Sequence, residues 1–432
     1  MSQIKAVRGT RDLLPPETEL WNAIEATARR IFRRYAFGEI RTPIFEDTQL
    51  FARGVGEETD IVAKEMYTWE DRPRAQSEKA QMLTLRPENT AGVVRAYIEH
   101  KLGDSGLLQK LYYIGPQFRR ERPQKGRYRQ FFQIGAEVIG PVSAGSESPL
   151  RDAEILEMLA TFLDELGVTG WTLELNSVGS AQDRPRYVEA LREALTDVAP
   201  TLCVDCQRRA VTNPLRVLDC KVPEDQEKIN ALPKMADFLD DDSRAHFAAV
   251  LAALDACGVP YSVNPRLVRG LDYYTRTTFE FTHGGLGAQN ALLGGGRYDG
   301  LSEAIGGPKA PGIGFAIGAD RLVLTLQAAG STVAGDAEGA LLDVYVAPIG
   351  DAQQSDALVL ARELRRAGLR VELGDGSFRL KKSFEVGNKI ARSIVLFGED
   401  EAKSGIVTVK DFKTGQQTKV ARSELAGILR KT

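Results

Sequence analysis

Residues 111–140 read LYYIGPQFRRERPQKGRYRQFFQIGAEVIG, and this segment indicates the architecture most directly. Two long runs of strand-forming residues flank a turn that contains Pro123 and Gly126, which is typical of an antiparallel hairpin. The hairpin's tip gathers six Arg or Lys residues between Phe118 and Phe131, in a chain whose formal net charge is only -3. The stretch therefore predicts a sheet built on this hairpin and a negatively charged ligand at its tip.

Side chains alternate between the two faces of a strand, so the second run of the hairpin divides into two sets. One set is apolar and fits a core: Phe132, Ile134, Ala136 and Val138. The other set is a ring, an amide, a glycine and a carboxylate: Phe131, Gln133, Gly135 and Glu137. On the preceding strand, Arg119 and Glu121 alternate in the same sense. The polar face suits a small ligand held over the sheet, although the residues alone leave an ordinary solvent face equally open.

Composition indicates a globular protein with two or three domains, because 432 residues with 43% hydrophobic and 27% charged content can build real cores. The N-terminus lacks the apolar core of a signal peptide. No run approaches the roughly 20 apolar residues needed to cross a bilayer. We therefore expect a cytoplasmic protein without membrane contact.

The four cysteines, Cys203, Cys206, Cys220 and Cys257, fall in one region and do not form a disulfide scaffold for a chain of this size. Cys203 and Cys206 make a CxxC pair, and the other two follow at irregular spacing with His246 as the nearest imidazole in the sequence. Small buried thiols are the favoured interpretation, with metal binding left open.

The remaining pattern predicts a helix after Pro16 with apolar residues at helical spacing, and a helical insertion at roughly 181–260. After a linker at 331–340, residues 341–432 alternate strand and helix, which indicates a separate α/β domain with some parallel pairing. Residues 340–432 carry 16 Lys and Arg against 12 Asp and Glu, so this part is +4 while the rest of the chain is -7. Such an excess fits a solvated surface or contact with a polyanion.

The common phosphate and hydrolase motifs do not occur: there is no GxxxxGK[ST], no GxGxxG in a strand-turn-helix unit and no HExxH. Only three histidines are present, so acid and base chemistry is sparsely provided. Arginine forks can bind phosphate instead, because guanidinium is planar, charged and bidentate. A reaction whose nucleophile is already an anion needs positioning and cations more than a general base.

Several motifs together carry a family resemblance. FRRERPQKGRYRQF at 118–131 resembles the second signature motif of class II aminoacyl-tRNA synthetases, and PGIGFAIGADRL at 311–322 resembles the third. TLRPENTAG, RYRQFFQIGAEVIG and LVRGLDYYTRTTFEF are similar to the histidyl-tRNA synthetase family in particular. The resemblance runs through essentially the whole chain, including NPLRVLDCK in the insertion and VLFGEDE in the tail.

The resemblance implies a class II α+β fold: a mainly antiparallel catalytic sheet with flanking helices in residues 1–330, the helical insertion, and a C-terminal α/β anticodon-binding domain at 341–432. It implies ATP-dependent activation of L-histidine and transfer to histidine tRNA. It also implies a homodimer, whose interface would include IRTPIFEDTQLFARG at 40–54. Mg²⁺ would accompany ATP, with no protein metal site assigned.

Site residues carry over from the matching motifs. Arg119 and Arg269 would be catalytic, gripping the α-phosphate from opposite sides. Histidine would contact Glu88, Asn89, Thr90, Arg119, Gln133, Glu137, Arg269, Tyr273 and Tyr274. ATP would contact Arg119, Glu121, Arg127, Phe131 and Arg321. Asn89 stands where the family commonly has glycine.

The resemblance also implies individual roles. Phe131 and Arg321 would cover the two faces of adenine. Glu137 and Tyr274 would bond the two imidazole nitrogens, and Gln133 would contact the backbone groups of the amino acid. Candidates for the tRNA acceptor end lie at the hairpin tip: Arg120, Arg122, Lys125 and Arg129.

Two other functions are compatible with parts of this pattern. One is a regulatory subunit of histidine biosynthesis, which resembles the catalytic domain without charging tRNA. The other is a nonenzymatic RNA-binding protein that uses the basic tail. Both are disfavoured because the chain keeps the site residues and the C-terminal domain together.

Overall fold

The computed structural model describes residues 3–56, 59–72, 80–124, 126–286, 290–331, 342–374 and 376–430. The chain divides into two compact units, of which the first holds most of the residues up to Val333 and the second most of those from Ala334 onward. Across these described ranges, no helix combines the length and the apolar character that a membrane span requires. Of the linker predicted at 331–340, only Ser331 lies within the described ranges.

The elements of the first unit follow in chain order. Its helices are α1 (Glu17–Arg34), α2 (Thr48–Val55), α3 (Thr90–Glu99), α4 (Pro149–Glu165), α5 (Asp183–Val198), α6 (Val204–Thr212), α7 (Gln226–Asn230), α8 (Asp241–Cys257), α9 (Leu301–Ala304) and α10 (Ala319–Ala328). Its strands are β1 (Gly38–Glu39), β2 (Phe45–Asp47), β3 (Tyr67–Asp71), β4 (Gln81–Leu85), β5 (Gln109–Phe118), β6 (Gln130–Ile139), β7 (Trp171–Ser177), β8 (Ser262–Val263), β9 (Thr275–His283), β10 (Ala291–Arg297) and β11 (Gly312–Gly318).

The main sheet has the described strands in the order β1-β5-β6-β11-β10-β9-β7-β8. Only the short edge strands β1 and β8 pair in parallel, and the other pairs are antiparallel. One face packs against α1, which buries the residues predicted from its helical spacing: Leu20, Ile24, Ala28, Ile31 and Phe32. The predicted α+β class with an antiparallel-rich sheet is confirmed.

The hairpin of β5 and β6 forms as expected, with Tyr113 paired to Gly135 and Leu111 to Glu137. The apolar face of β6 enters the main core. The predicted strands were too long at the tip, because β5 ends at Phe118 and leaves Arg119 and Glu121 outside the strand. Pro123 has no N–H for a ladder, and Gly126 adopts a positive φ of 76° that closes the turn, so regular pairing stops here.

The helical insertion between β7 and β8 has a small core of its own, which includes Leu191, Leu202, Leu218 and Ile229. Its last helix packs elsewhere. Val250 and Leu254 of α8 are buried in the main core instead. The insertion's separate packing therefore ends before α8.

A second, three-stranded sheet has the order β2-β4-β3. Phe45 of β2 pairs with Leu85 of β4, and Trp69 of β3 pairs with Leu83. Residues two apart on a strand share a face, so both rings lie on one face of this sheet, 6.1 Å apart, and both are exposed. We call Phe45 and Trp69 the aromatic pair.

The second unit contains β12 (Leu342–Pro348), α11 (Gln354–Arg366), β13 (Val371–Leu373), α12 (Leu380–Ile390), β14 (Ala391–Phe397), α13 (Glu399–Ser404), β15 (Ile406–Asp411), β16 (Gln417–Ala421) and α14 (Leu425–Leu429). Its described strands have the order β13-β12-β14-β15-β16. β12 pairs in parallel with both neighbours, and the remaining pairs are antiparallel. The alternation of strand and helix patterns in the sequence predicted this parallel pairing of strands.

Candidate active site

A cavity of about 690 Å³ opens over the polar face of β6. Eleven of the thirteen predicted site residues line it: Glu88, Thr90, Arg119, Glu121, Arg127, Phe131, Gln133, Arg269, Tyr273, Tyr274 and Arg321. They come from five separate stretches of sequence, which the main sheet and the start of α3 bring together. Asn89 and Glu137 are not part of the lining.

Glu137 is completely buried beneath this cavity. Its Oε1 accepts hydrogen bonds from Thr90 Oγ1 at 2.8 Å and from Tyr113 Oη at 3.4 Å. Its Oε2 has no hydrogen-bond partner in the described part of the chain, and a Cβ at Gly314 would lie 1.6 Å from this oxygen. Burial raises the pKa of Glu137 to about 8, because water no longer stabilises the charge. The Oε2 atom of this carboxyl group is therefore available for a hydrogen bond with a polar ligand atom.

Gln133 presents a second buried oxygen of this kind, since its Oε1 also has no hydrogen-bond partner among the described residues. Gln133 and Glu137 lie on the same face of β6, with Gly135 between them. Buried polar atoms in native proteins are nearly always bonded to protein, water or a ligand. The two oxygens thus mark the part of the cavity that suits a small molecule with several N–H groups.

Glu88 does more in the structure than its predicted contact with the amino acid. Its two carboxylate oxygens accept hydrogen bonds from the backbone N–H groups of Thr90 at 2.8 Å and Ala91 at 2.9 Å. These N–H groups belong to the first turn of α3, so Glu88 satisfies donors that the helix leaves unpaired. Burial raises the pKa of Glu88, although these hydrogen bonds oppose the shift.

Asn89 points to a different neighbour. Its Oδ1 accepts a hydrogen bond of 2.6 Å from Thr42 Oγ1, and the residue is 1% exposed. The structure therefore places Asn89 behind the cavity, between α3 and the segment before β2. Its predicted contact with histidine stays a prediction that this placement does not favour.

Arg119 lies immediately after β5, where its side chain reaches back to the turn before α3. Its Nε donates to the carbonyl oxygen of Pro87 at 2.9 Å. Its guanidinium carbon lies 5.2 Å from the centroid of the Phe131 ring, which is a cation-π distance. Both contacts orient the guanidinium before any ligand binds.

Arg269 enters the same cavity from the segment that connects β8 to β9. Its Nη1 bonds to Glu280 Oε1 at 2.6 Å, and a Cβ at Gly294 would lie 2.6 Å from Nη1. Burial lowers the pKa of Arg269, but the nearby carboxylate of Glu280 outweighs it and the net shift is upward. The guanidinium thus stays charged. It packs against Gly294, where any larger side chain would collide with it.

Aromatic side chains close the side of the cavity next to Glu137. The ring centroids of Tyr273 and Tyr274 lie 4.8 Å apart, and Tyr273 meets Tyr298 edge to face at 6.0 Å. Burial raises the pKa of all three hydroxyls, so they stay protonated at neutral pH. They can donate hydrogen bonds to a ligand in a partly water-excluded space.

The residues predicted to hold the adenine and outer phosphates lie at the other end. Arg127 Nη1 forms a 3.2 Å ion pair with Glu121 Oε2. Arg321 Nη1 donates to the backbone oxygen of Ala291 at 2.9 Å, and burial lowers the pKa of this guanidinium. Arg321, from α10, and Phe131, from β6, both border the cavity.

The hairpin tip holds its basic residues in varied surroundings. Arg120 lies with its guanidinium carbon 5.8 Å from the Tyr67 ring centroid, and Arg129 Nη1 donates to the backbone oxygen of Arg8 at 3.3 Å. Arg122 is exposed. Lys125, the fourth tRNA candidate, lies outside the described residues.

The cysteines separate into two groups. The sulfur atoms of Cys203, Cys206 and Cys220 and a carboxylate oxygen of Asp225 all lie within 4.8 Å of one another. Cys257 is exposed and is not part of this cluster. His246, the imidazole nearest in sequence, lies elsewhere, with Nε2 3.6 Å from Asp152 Oδ2.

Three residues of the site were not predicted from the sequence. Tyr113 faces Glu137 from β5, Tyr298 packs on Tyr273, and Glu280 pairs with Arg269. The hairpin register could have identified Tyr113, because it lies across from Gly135 on the polar face. Tyr298 and Glu280 depend on contacts between strands and loops that no local pattern reveals.

Family models match nearly the whole chain. The model described as histidyl-tRNA synthetase matches residues 9–322, and the model described as an anticodon binding domain matches residues 343–432. The first match alone covers more than half of the chain and includes every predicted site residue.

Individual proteins agree with these models. The chain is 71% identical over 428 residues to the histidine--tRNA ligase of Koribacter versatilis, covering 99% of this chain and 96% of the relative. It is 56% identical to the histidine--tRNA ligase of Solibacter usitatus, covering 99% of each. The crystal structure of apo S. aureus histidyl-tRNA synthetase matches with a TM-score of 0.79 and 36% identity, over 99% of this chain and 100% of that one. The chain therefore belongs to the histidyl-tRNA synthetase family.

Proposed function

We propose that this chain is a histidine--tRNA ligase, which activates L-histidine with ATP to histidyl-adenylate and then transfers histidine to the 3′ end of histidine tRNA. The observation that carries the proposal is one cavity that holds two arginines, Arg119 and Arg269, above a buried carboxyl group, that of Glu137, whose Oε2 has no partner among the described residues. Family membership supports the same reaction.

In the activation step, a carboxylate oxygen of histidine attacks the α-phosphorus of ATP and pyrophosphate leaves. The nucleophile is already an anion at neutral pH, so no general base is required. The protein has to align the two groups and stabilise the negative charge that develops on the phosphoryl oxygens. Arg119, oriented through Nε by Pro87, and Arg269, held by Glu280, supply permanently charged donors for this purpose.

The imidazole ring would bind where the unpartnered oxygens lie. Glu137 Oε2 accepts one imidazole N–H, and the hydroxyl of Tyr274 bonds the other ring nitrogen. A bound N–H donor favours the ionised carboxylate and so opposes the shift that burial causes. An amino acid without two ring nitrogens leaves Glu137 unsatisfied, which costs binding free energy and gives specificity.

The amino group of histidine would lie among Gln133, Glu88 and Thr90. Gln133 Oε1 is the buried acceptor with no partner among the described residues. Glu88 is 4% exposed and retains lone pairs beyond those used by the two backbone N–H groups. The same carboxylate can therefore cap α3 and attract an ammonium group.

The adenine would stack between Phe131 and Arg321, with Glu121 and Arg127 near its edge and the outer phosphates. Mg²⁺ fits this end of the cavity chemically, because it prefers oxygen ligands and usually takes one or two carboxylates together with phosphate oxygens. Glu121 and Glu280 line the cavity beside Arg127 and Arg269 and would be the carboxylates available to hold the ion. The ion would supply neutralisation of the phosphate charge.

The second unit would bind the anticodon arm, in agreement with the family model that matches it. Residues 340–432, which make up most of this unit, carry a net charge of +4, which suits a polyanion. Arg120 and Arg122 at the hairpin tip are the described candidates for the acceptor end.

A homodimer is part of the same proposal. The aromatic pair is exposed on the three-stranded sheet. Phe45 belongs to the segment 40–54 that resembles the interface motif, and the Trp69 ring lies next to it. Large exposed rings on one face are typical of a surface covered by a partner. We likewise propose a cytoplasmic location, where charged tRNA is used.

Charging assays test the reaction directly. The purified protein should attach labelled histidine to histidine tRNA and should exchange pyrophosphate into ATP only when histidine is present. Arg269→Gln should reduce histidine-dependent exchange by roughly 10²–10³-fold, because one preorganised donor to the transition state is lost.

Arg208→Gln serves as the matched control, since Arg208 is an exposed arginine of α6 outside the cavity. Its exchange rate should equal that of the unmodified protein. A folded protein that binds ATP and histidine but never charges tRNA would contradict the proposal and favour a regulatory role. Binding of tRNA without any exchange activity would favour the RNA-binding alternative.

A further inference from the structure

A cluster of sulfur atoms lies in the insertion, outside the residues that the proposed reaction uses. Cys203 is the residue before α6, Cys206 lies in its first turn, and Cys220 follows the helical turn Pro214–Val217. Asp225 precedes α7. The fold thus brings a CxxC pair, a third cysteine and a carboxylate from three separate elements to one place.

Two distances within the cluster match those of a tetrahedral zinc site, and the four ligand atoms span at most 4.8 Å. With Zn–S bonds of about 2.3 Å and a Zn–O bond of about 2.0 Å, sulfur ligands lie about 3.8 Å apart and a sulfur–oxygen pair about 3.5 Å apart. Cys203 Sγ and Cys220 Sγ are separated by 3.9 Å, and Cys220 Sγ and Asp225 Oδ2 by 3.5 Å. The four ligand atoms thus leave a space of the right size for one ion.

Backbone donors hold the ligands in place. The N–H of Val222 donates to Cys220 Sγ at 3.4 Å, and the N–H of Cys203 donates to Asp225 Oδ2 at 3.0 Å. N–H groups aimed at these atoms stabilise thiolate and carboxylate charge, as outer hydrogen bonds do around metal ligands.

The surroundings also favour a charged centre. The N–H groups of the Arg266 guanidinium donate to the backbone oxygens of Leu218 at 3.2 Å and Cys220 at 3.1 Å. Three thiolates and a carboxylate around Zn²⁺ carry a formal charge of -2, which a neighbouring guanidinium partly offsets. A disulfide is not the alternative in this arrangement, because 3.9 Å greatly exceeds the S–S bond length of about 2.05 Å.

We propose that Cys203, Cys206, Cys220 and Asp225 bind one structural zinc ion that holds the helical insertion together. All four positions are filled by protein ligands, which is the pattern of a closed structural site and not of a catalytic one. The insertion's own core is small, so an ion that crosslinks three of its elements adds stability that packing alone supplies poorly. Arg266 then transmits this rigidity to the segment that leads to Arg269.

Metal analysis of the full-length protein tests the site. After expression with zinc and purification in a phosphine reductant that keeps thiols free, the unmodified chain should contain about one zinc ion per chain. Cys206→Ser should contain almost none. Cys257→Ser, which removes the exposed cysteine outside the cluster, should keep the full amount.

A second measurement avoids dependence on the folding of a variant. Removing zinc from the unmodified protein and adding Co²⁺ should give the intense visible bands of a tetrahedral thiolate complex, and zinc should then displace the cobalt. Chelation should lower the melting temperature of the unmodified protein and of Cys257→Ser alike. Zinc-free protein that takes up no metal and melts unchanged would overturn the proposal, as would full zinc content in Cys206→Ser.

Discussion

The proposed chemistry of this molecule depends on one carboxyl group that is buried away from water. Glu137 is completely buried, keeps one oxygen without a partner in the described structure and is surrounded by tyrosine hydroxyls. Burial raises its pKa to about 8, so it holds a proton at neutral pH. In the proposed complex, a ligand N–H would bond to this carboxyl group and favour loss of the proton. Specificity therefore costs the free protein some stability.

Glu137→Gln should expose this cost. The folded-state pKa of about 8 lies above the ordinary value of 4.5, so the folded chain binds the proton more tightly than the unfolded chain. Stability then falls as pH rises from about 4.5 to about 8, by at most about 1.4 kcal/mol per pH unit. The variant lacks this loss, and its melting temperature relative to the unmodified protein should rise between pH 5 and pH 8, as measured by calorimetry without ligand.

The same variant should lose at least about 100-fold in histidine-dependent pyrophosphate exchange while binding ATP normally, because it removes the charged acceptor for imidazole. Glu193→Gln, an exposed glutamate on α5, is the control for activity. Melting curves that differ by a constant amount at every pH would contradict the stability argument. Unchanged exchange would contradict the assignment of the imidazole contact.

At this scale, the sequence predicted side chains whose position follows from strand alternation. Gln133 and Glu137 were assigned to one face of β6 because period two is a local rule. Asn89 was assigned with its neighbours from a motif, but the start of α3 turns its side chain toward Thr42. The capping role of Glu88 was missed, because it depends on the path of the turn before α3.

At the scale of elements, a buried ion pair joins β10 to α4. Arg297 and Asp152 both have fully buried side chains and are bonded to each other. Arg297 Nη1 also donates to Ser146 O at 2.8 Å and bonds Asp299 at 3.0 Å. His246 of α8 lies beside Asp152, and burial lowers its pKa to about 4. One guanidinium thus connects β10 to α4 and to the turn that precedes α4.

Arg297→Met should lower the free energy of unfolding by about 3–5 kcal/mol, because it leaves the carboxylate of Asp152 buried without its counterion. Denaturation followed by tryptophan fluorescence measures the loss. The double variant Arg297→Met with Asp152→Leu should recover much of it, since no uncompensated charge remains. A double variant less stable than the single one would show that the loss arises from packing.

The sequence predicted elements well where one pattern governs the whole segment. Helix α1 and the hairpin have uninterrupted periods of 3.6 and 2. Boundaries were less accurate at the hairpin tip, where Pro123 and Gly126 interrupt the ladder. The insertion was assigned as one block, yet α8 packs with the main core, because the partner of an amphipathic helix is not encoded in its own period.

At the scale of the whole molecule, the proposed dimer would cover the aromatic pair. Phe45 and Trp69 are 52% and 39% exposed, and their rings lie 6.1 Å apart on one face of the small sheet. A C-terminal α/β unit was predictable from the alternation of strand and helix patterns in the sequence. The surface between two copies was assigned only through resemblance, because no pattern in one chain encodes its partner.

Trp69→Asp should raise the dissociation constant of the dimer at least about tenfold, because a carboxylate replaces an apolar ring at the proposed interface. Sedimentation velocity at several protein concentrations measures the shift toward monomer. Val211→Asp, at an equally apolar and more exposed position on α6, should leave the dimer intact. Equal dissociation constants for both variants would place the interface elsewhere.

In the proposed histidine pocket, Gly314 limits how the site could change to bind a different amino acid substrate. A methyl group at this position would lie 1.6 Å from Glu137 Oε2, which is closer than any non-bonded contact permits. A lineage that shifts toward a different substrate therefore cannot enlarge position 314 first, since the intermediate sequence would displace the carboxyl group. The two positions have to evolve together, with 137 shortening before 314 grows.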